Sequence, residues 1–544
     1  MNATQLLEHF DRLAEVPGAV PRLRRFILDL AVRGKLVEQD AGDEPAAELL
    51  ERLASHMKKP TKNHGAAAKP APSKHPFGWA FAKFSDVLTL EYGDNLPAEK
   101  RSNSGEFPVY GSNGVVGSHN EAFVHEPCIV VGRKGSAGAL NLCTSNGSCV
   151  TDVAYYCVPP IGLDLQYTFK MLHTIGLDIL SKGIKPGLSR AEAYELWVPI
   201  PPLAEQHRIV AKVDELMALC DQLEAAQQER EHRRDRLAAA SLQRLNQPAA
   251  DTTPEAQREH ARFHLHHLPR LTTRPEHIRA LRQTFLNLAV RGKLVAQDSC
   301  DEPATQLFKR IQVRKADLIK GGKLKMQVED KGLSRAERPY PIPPNWMWAT
   351  FGSIMISRDS DRIPVSKEDR NARAKTYDYY GASGVIDKID SYLFDKPLLL
   401  IGEDGANLIN RSTPIAFIAH GKYWVNNHAH VLDGITEEFL HYIGLYINAV
   451  DLKPYVTGTA QPKMNQAKMN SIPIALPPET EQHRIVAKVD ELMALCDQLE
   501  AQLTTTQTDS RRLLEAVLEA ALAPVIKIHT KTDDGESMTF AVVL

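Results

Sequence analysis

Histidine and cysteine side chains are the first candidates for chemistry in this chain of 544 residues, because they ligate metal ions and act as nucleophiles. His428 and His430 would share one face of a strand and could hold a metal ion there. A second histidine group lies in a polar stretch: His260, His264, His266 and His267. Neither group has cysteine or carboxylate support, which is more typical of solvated or structural histidines, so we assign no metal ligand. A metal-dependent nuclease around His428 and His430 remains one alternative.

The cysteines do not form a metal site by pattern. Four of the seven lie close in sequence without the spacing of zinc ligands: Cys128, Cys143, Cys149 and Cys157. Motifs for nucleotide chemistry are also missing. The sequence holds no GxxxxGK[ST] loop, no GxGxxG between a strand and a helix, and no [DN]PP[YF] tetrapeptide to hold a flipped adenine. With no acid–base pair standing out, we predict no catalytic residue and expect a protein that binds and organises.

The composition bounds the class of protein. Apolar residues make up 43% and charged residues 24% of the chain, which are ordinary globular values at a length that fits several domains. Lys and Arg number 65 against 67 Asp and Glu, so there is no bulk polycation. An odd cysteine count without a disulfide pattern suits a reducing compartment. Without a signal-peptide pattern or a long apolar run, we expect a cytoplasmic protein with no membrane segment.

An internal duplication organises the chain. Residues 205–225 and 481–501 are the same 21 letters, EQHRIVAKVDELMALCDQLEA, and each copy follows a Pro-Pro pair. The octapeptide LAVRGKLV occurs at 30–37 and again at 288–295. Between these anchors lie two globules that match only faintly, mainly in a Tyr-Gly-x-x-Gly-Val turn. Identical parts suit a common partner, whereas divergent parts suit two different ligands.

Helical periodicity marks the repeated segments. Their apolar residues step by four and three, which is the seam of an amphipathic helix or a coiled coil. The seam positions are Ile209, Val213, Leu216, Cys220 and Leu223 in the first copy, and Ile485, Val489, Leu492, Cys496 and Leu499 in the second. Two interpretations stay open: each helix packs on its own domain, or the two copies pair with each other and hold the globules apart.

These elements predict an α+β protein with a pseudo-twofold duplication. Short apolar runs between Gly, Asn, Asp and Ser turns indicate mixed α/β globules, with helices over 167–180 and 437–449. We predict seven segments: a helical arm with a basic linker (1–75), a first globule (76–200), a helix (201–246), a linker and second arm (247–340), a second globule (341–476), a C-terminal helix (477–525) and a tail (526–544).

The chain resembles the specificity (S) subunit of type I restriction–modification enzymes over nearly its whole length. The features that carry the resemblance are Pro-Pro-x-x-Glu-Gln-His-Arg-Ile-Val at 201–210 and 477–486, the Tyr-Gly-x-x-Gly turns at 110–114 and 380–384, and the LAVRGKLV arm. The resemblance implies that each globule is a target recognition domain for one half of a bipartite DNA site. It also implies that the long helices form an antiparallel coiled-coil spacer.

The resemblance further implies the partners. Two methyltransferase (M) subunits would dock on the repeated regions, and motor–nuclease (R) subunits would complete the restricting complex. S-adenosylmethionine, ATP and Mg²⁺ would be bound by those partners, so this chain would need no cofactor and would not itself be an enzyme. It would instead direct DNA methylation and cleavage by reading double-stranded DNA.

Loops rich in Lys, Arg, Asn, Gln and Ser are the expected DNA contacts. In the first globule they are Arg133, Lys134, Lys182, Lys185, Ser189 and Arg190. In the second they are Asn407, Arg411, Gln461, Lys463, Asn465 and Lys468.

Lys and Arg number 9 against 12 acidic residues in 76–200, and 13 against 14 in 341–476, so any binding face must concentrate its charge locally. A protein–protein scaffold without DNA affinity is therefore the other alternative, and salt-dependent DNA binding would discriminate against it.

Overall fold

A computed structural model describes residues 16, 18–56, 76–180, 187–249, 251–322, 333–458, 461–522, 525–531 and 537–543. The chain divides into two compact units. Unit 1 is Met1–Arg230 with Gln507–Leu544, and unit 2 is Glu231–Thr506. Both divisions fall inside long helices, so each unit contains one arm, one globule and a segment of each long helix. Across these described ranges, no helix has the length and apolar character needed to cross a bilayer.

Unit 1 begins with the arm and continues into the first globule. Its helices are α1 (Ala19–Val32), α2 (Ala46–His56), α3 (Phe84–Val87), α4 (Leu165–Leu172), α5 (Arg190–Tyr194) and the start of α6 (Leu203–Asn246). Its strands are β1 (Ala80–Lys83), β2 (Glu91–Tyr92), β3 (Phe107–Gly111), β4 (Gly114–His119), β5 (Cys128–Gly132), β6 (Leu140–Cys143), β7 (Cys149–Val150), β8 (Ala154–Cys157) and β9 (Trp197–Ile200).

Three small sheets build the first globule. The largest has the order β2-β8-β5-β6, and its central strand β5 is buried along its whole length. A second sheet has the order β4-β3-β7. The third pairs β1 with β9 in antiparallel register, with Ala80 opposite Ile200. Because the first and last strands of the globule pair, the chain enters and leaves at one place, between the arm and the long helix.

Unit 2 repeats this order of elements. Its helices are α7 (Pro254–His266), α8 (Leu268–Leu271), α9 (Pro275–Val290), α10 (Ala304–Lys320), α11 (Phe351–Ile354), α12 (Lys367–Asn371), α13 (Asn407–Asn410), α14 (Glu437–Ala449), α15 (Gln466–Asn470) and most of α16 (Glu479–Leu522). Its strands are β10 (Met347–Thr350), β11 (Ile356–Ser357), β12 (Tyr377–Gly381), β13 (Gly384–Ile389), β14 (Leu398–Gly402), β15 (Ala416–Ala419), β16 (Tyr423–Val425), β17 (Ala429–Asp433) and β18 (Pro473–Leu476).

The second globule has the same topology as the first. Its sheets are β11-β17-β14-β15, β13-β12-β16 and β10-β18. The predicted α+β class with an internal duplication is therefore confirmed. The predicted helix over 437–449 matches α14, whereas the one over 167–180 stops at Leu172 and gives way to turns, with Gly176 in the left-handed region (φ 75°). After α16, a hairpin of β19 (Val525–Lys531) and β20 (Ser537–Val543) lies in the segment predicted as a tail.

A buried carboxylate joins the arm, the first globule and the long helix in unit 1. Glu205 is fully buried at the start of α6 and accepts hydrogen bonds from Trp79 Nε1 (2.9 Å) and Gln39 Nε2 (3.2 Å). Burial raises the pKa of Glu205. One turn later, Arg208 donates two hydrogen bonds to Asp43 of the arm, at 2.6 and 3.2 Å. These contacts account for the Glu and Arg of the repeated EQHR letters.

The second unit contains the same junction. Glu481 accepts hydrogen bonds from Trp346 Nε1 (2.8 Å) and Gln297 Nε2 (2.5 Å), and burial raises its pKa as well. Arg484 donates to Asp301 at 2.5 and 3.2 Å. The start of each 21-residue repeat therefore stabilises its own unit. The identical letters suggest a surface for a common partner. Because the first positions of each repeat form the junction, only the later, exposed positions can belong to such a surface.

The arm helices dock on the long helices in a matching way. Arg24 of α1 donates to Asp221 (2.6 Å) and Glu224 (2.8 Å) of α6. Arg282 of α9 makes the same contacts with the equivalent acids of α16: Asp497 (2.7 Å) and Glu500 (2.8 Å). Both copies of LAVRGKLV also need their glycine. Gly34 has φ 63°, and an added Cβ would lie 2.4 Å from Pro76.

The predicted apolar seam packs mainly into the core of each unit. From α6, five seam residues lie in or against the core that the helix shares with the first globule and its arm: Ile209, Val213, Leu216, Cys220 and Leu223. From α16, Ile485 and Val489 belong to the corresponding core of unit 2. Over these turns the interpretation of each helix packing on its own domain is right, since the globule and the arm cover the seam.

Further along, the seam brings the two long helices together within unit 2. Cys496 of α16 shares a buried cluster with Leu242 and Leu245 from the end of α6, and Leu492 and Leu499 pack against that cluster. The arm helix α9 contributes to it as well. The seam of α16 therefore has two functions: its first turns anchor the helix to the second globule, and its later turns join the helix to α6.

Candidate nucleic-acid interface

Two arginines lie over one exposed tyrosine ring in the first globule. The Cζ atoms of Arg133 and Arg190 lie 4.8 and 4.9 Å from the ring centroid of Tyr92. This ring is 48% exposed and meets the buried ring of Tyr155 edge-on at 5.1 Å. Burial raises the pKa of Tyr155, which keeps its hydroxyl neutral. Two cations and an aromatic face thus share one surface, and these are the groups that bind phosphates and stack on bases.

Separate elements of the globule position this group. Tyr92 ends β2, Arg133 follows β5, and Arg190 begins α5. The backbone N–H of Leu188 donates to the carbonyl of Arg133 at 2.9 Å, which ties the loop after β5 to the loop before α5. Sequence analysis predicted both loops as DNA contacts, and the structure brings them together.

The cationic side chains keep most of their hydrogen-bonding capacity. Within the described chain, Arg133 donates one hydrogen bond to the carbonyl of Asp152 (2.9 Å), and Arg190 donates one to the carbonyl of Leu90 (3.2 Å). A guanidinium has five N–H donors, so most remain for an acceptor in solution. Lys134 is exposed, with its Nζ 3.5 Å from the Asp152 carboxylate. A surface pair of this kind is weak and can be exchanged for a phosphate.

The remaining predicted residues of this globule lie in the adjoining loop. Ser189 is exposed and precedes α5 as its N-cap residue, without a side-chain capping bond. Lys182 and Lys185 lie outside the described residues.

The second globule has an ionic network at the equivalent position. Glu403 follows β14 just as Arg133 follows β5. Its carboxylate accepts a hydrogen bond from Arg362 Nη1 (3.0 Å) and pairs with Lys463 Nζ (3.2 Å). Lys463 is about half exposed, whereas Arg362 and Glu403 are mostly covered. A carboxylate and two cationic side chains therefore replace the arginine–tyrosine group of the first globule.

His430 lies under this network as a buried cation. Its Nε2 is 2.9 Å from the carbonyl of Met464, and its Nδ1 is 2.6 Å from Asp359. A carbonyl oxygen and an ionised carboxylate can only accept hydrogen bonds. Each nitrogen of the His430 ring must therefore carry a proton to donate to its partner. Burial opposes this charge, but the hydrogen bond and charge of Asp359 outweigh it and raise the pKa of His430. His428 is hydrogen-bonded to Asp404 (2.7 Å). A metal centre on His428 and His430 therefore finds no support.

The strand registers show that the two sites correspond. Val131 pairs with Tyr155 in the first globule, and Ile401 pairs with His430 in the second. Tyr155 donates to the carbonyl of Leu188 (3.2 Å), as His430 does to the carbonyl at the equivalent place. One backbone frame therefore presents two different sets of side chains.

The other predicted residues of the second globule fall into two groups. Gln461 and Lys468 are exposed, and Asn465 caps α15 by accepting from the backbone N–H of Lys468 at 2.9 Å. Arg411 instead donates to the carbonyls that end α14, at 2.9 and 3.2 Å, and burial lowers its pKa. Asn407 accepts from the loop that follows it. These last two side chains support the fold, so we leave them out of the candidate interface.

A hairpin tip lies beside each site and exposes two aliphatic side chains. Val115 and Val116 are 58% and 47% exposed after the turn of the β3–β4 hairpin. Val385 and Ile386 are 50% and 53% exposed at the same place in β12–β13. An added Cβ at Gly132 would lie 2.4 Å from the carbonyl of the β3–β4 turn, so this tip packs directly against the strand end that leads to Arg133.

Sequence reasoning missed Tyr92, Asp359 and Arg362. Tyr92 lies in a two-residue strand, and Arg362 follows the short 3₁₀ helix Asp359–Asp361. Neither segment has a periodic pattern or a motif that would single it out. Only the pairing of β2 with β8, and of β11 with β17, brings these residues to the loops after β5 and β14.

Comparisons with known proteins find specificity subunits of type I restriction enzymes. The curated specificity subunit of the type I restriction enzyme EcoEI from Escherichia coli is 27% identical over 92% of this chain and 94% of its own length. The EcoAI specificity subunit of the same organism is 26% identical over the same shares. Among solved structures, the HsdS subunit from Thermoanaerobacter tengcongensis is 16% identical, with a TM-score of 0.40 over 83% of this chain and 98% of its own.

A family match covers both globules. The model of the type I restriction modification DNA specificity domain matches residues 76–231 and again residues 343–506. These two segments span more than half of the chain and include the globules with the first part of each long helix. The chain therefore belongs to the type I restriction–modification specificity subunits.

Proposed function

We propose that this specificity subunit reads a bipartite, asymmetric site in double-stranded DNA, one half with each globule. The observation that carries the proposal is the pair of equivalent surface sites, which is aromatic and cationic around Tyr92 and ionic around Glu403. Each base pair presents its own pattern of donors and acceptors in the major groove. Two different side-chain sets on one frame therefore favour two different half-sites.

In the first globule, we assign phosphate and base contacts to Arg133, Lys134 and Arg190, with Ser189 beside them. Lys182 and Lys185, which lie outside the described residues, are proposed as further contacts on the basis of the sequence. In the second globule, the contacts would come from the loop around α15: Gln461, Lys463, Asn465 and Lys468. The near-neutral charge of each globule fits this assignment, because a few cations gathered at one edge suffice for a local contact.

The aliphatic hairpin tips complete each DNA-facing edge. They keep the same side-chain type in both globules, although the neighbouring sites differ. A contact that both half-sites share does not distinguish them. Aliphatic side chains can enter between base steps, and such a contact is compatible with many sequences.

The exposed part of the 21-residue repeat is proposed as the methyltransferase docking surface. Leu219 and Leu495 occupy the same position of the two copies and are 51% and 37% exposed. An exposed leucine flanked by an exposed alanine and polar residues is a small apolar centre with a polar rim, as in protein interfaces. Two identical surfaces suit two copies of one methyltransferase subunit.

Catalysis would belong to the partners. Methyl transfer from S-adenosylmethionine would occur on the methyltransferase subunits, and ATP- and Mg²⁺-dependent translocation and cleavage on the restriction subunits. The specificity subunit would act in the cytoplasm without a cofactor of its own. Its long helices would form an antiparallel spacer between the globules that sets the distance between the half-sites, which the cluster around Cys496 supports by joining α6 to α16.

The test compares the methylated adenine motifs of a host that expresses the full subunit with its methyltransferase against a host without the subunit. We expect one bipartite asymmetric motif that depends on this chain. The double variant Arg133→Ala/Arg190→Ala should relax or lose one half of the motif and leave the other half intact. Loss of a base contact costs about 1–3 kcal/mol.

Arg279→Ala is the matched control, because it removes an exposed cation from the arm helix α9, outside both globules. It should leave the motif unchanged. An unchanged motif in the double variant would contradict the assignment of the first half-site. Absence of any motif dependent on this chain would contradict DNA recognition altogether.

A further inference from the structure

Two histidines and a glutamate meet on the surface of the second globule, away from the candidate interface. His420 Nδ1 lies 3.6 Å from Glu437 Oε1, and His441 Nε2 lies 3.8 Å from the same oxygen. One ligand atom from each residue lies within 4.8 Å of the other two. In the described part of the chain, this is the one such group of His, Cys, Asp and Glu side chains.

The fold holds these residues at fixed places. Glu437 and His441 are four residues apart on α14, so they share one face of that helix. Thr436 caps the helix by accepting from the backbone N–H of Phe439 at 3.1 Å. His420 lies in the turn between β15 and β16.

The sheet and α14 are also joined at the far ends of the same two elements. The backbone N–H groups of Ile415 and Ala416 both donate to Asn448 Oδ1 of α14, at 2.9 and 3.1 Å. The strand that leads to His420 is therefore anchored to the helix that carries Glu437 and His441. The three side chains start from backbone positions that the fold has already brought together.

Two of the three ligand separations suit a tetrahedral ion after small side-chain rotations, and the third, between the two imidazoles, is within 4.8 Å. Zinc bonds of about 2.0–2.1 Å to nitrogen and oxygen place tetrahedral ligand atoms about 3.4 Å apart. The two distances to Glu437 exceed this by a few tenths of an ångström. All three side chains are exposed, so they can rotate without disturbing the core. Two imidazoles and one carboxylate are a known zinc ligand set, with water in the fourth position.

The first globule offers an internal comparison. Asp164 caps α4 by accepting from Tyr167 N, as Thr436 caps α14. By this alignment, Leu165 and Phe169 stand where Glu437 and His441 stand in the second globule. The apolar pair cannot bind a metal ion, so the group belongs to the second globule alone.

We propose that His420, Glu437 and His441 form a zinc site that clamps the β15–β16 turn to the start of α14. The ion would add a direct cross-link between these two surface segments. The site lies outside the assigned DNA contacts and does not depend on the proposed function. The clamp would be present in the second globule and would distinguish it from the first.

The experiment titrates Zn²⁺ into the full chain after removal of metal with a chelator. Calorimetry gives the number of bound equivalents, and a Co²⁺ titration gives the absorption bands of a tetrahedral site. We expect one zinc equivalent that His441→Ala and His420→Ala each weaken at least about tenfold, since each removes one of three protein ligands. Zinc should also raise the unfolding temperature of the unmodified chain by mass action.

His125→Ala is the control, because it removes an exposed histidine from the first globule. It should keep the zinc equivalent, the Co²⁺ bands and the stabilisation. Circular dichroism without metal should be the same for all variants. Equal zinc binding by the unmodified chain and both cluster variants would overturn the proposal, and so would a lack of any zinc equivalent.

Discussion

The junction at Glu205 makes a quantitative prediction about the stability of unit 1. Trp79→Phe removes the indole N–H that donates to the buried carboxylate at 2.9 Å. A hydrogen bond to a charged group contributes about 1.5–3 kcal/mol. Trp197→Phe is a matched control in the same unit, because Trp197 Nε1 is buried and has no hydrogen-bond partner among the described residues. Both variants lose the same atoms, so their difference isolates the hydrogen bond.

The pH dependence follows from the raised pKa of Glu205. Burial shifts this pKa above its value in the unfolded chain, so the folded state holds the proton more tightly. The contribution of Glu205 to the free energy of unfolding is therefore most favourable at low pH. This contribution is lost as the pH rises through the pKa that Glu205 has in the folded state. Loss of the Trp79 donor raises this pKa further. The destabilisation by Trp79→Phe should be smaller near the unfolded pKa of about 4.3 and full at neutral pH.

Hydrogen exchange measured by mass spectrometry is the suitable assay, because a chain with several units need not unfold in one step. Peptides covering β1 and the start of α6 report opening of the junction. A loss of about 1.5–3 kcal/mol corresponds to about 10- to 150-fold faster exchange at neutral pH. Trp197→Phe should show only the effect of the smaller ring in the same peptides.

Equal acceleration of exchange by the two variants at pH 7, or a difference that does not shrink in acid, would refute the stabilising role of the hydrogen bond from Trp79 to Glu205. The second unit allows an independent repeat. Trp346→Phe removes the equivalent donor to Glu481 and should reproduce both the size and the pH dependence in the peptides of unit 2. A large effect in one unit and none in the other would also contradict the explanation.

Four further substitutions test other parts of the structure. Arg24→Ala should loosen the arm helix only slightly, because its two partly exposed ion pairs are screened by solvent, and hydrogen exchange in that helix measures this. Val116→Ser should weaken DNA binding by the full chain without changing its circular dichroism, since the side chain is half exposed; unchanged affinity in an anisotropy titration would exclude a contact there. Leu219→Lys and Leu495→Lys should each reduce the amount of co-purified methyltransferase subunit, and retention of two subunits by the double variant would contradict the proposed docking surface.

The local sequence accounts for the elements and for their duplication. The period of the apolar residues predicts α6 and α16, and the identical letters predict that both units share one arrangement. Gly34 and Glu205 have the same structural roles as the equivalent residues of unit 2. The duplication copied each residue together with the neighbours that it contacts. Helix period and turn conformation can be inferred from the sequence, since they are short-range constraints. The hydrogen bond from Trp79 to Glu205 joins residues 126 positions apart, so no local pattern predicts it.

Only the tertiary structure distinguishes the side chains that form the candidate site from those that support the fold. In sequence, Arg133 and Arg411 are both loop arginines of a globule. In the structure, Arg133 lies over Tyr92, whereas Arg411 donates to the carbonyls that end α14. The register of β2 against β8 places Tyr92 at this site, and no local pattern encodes that register. A binding surface made of side chains from distant segments depends on strand pairing and helix packing, so the sequence alone indicates the kind of residue used but not which ones meet.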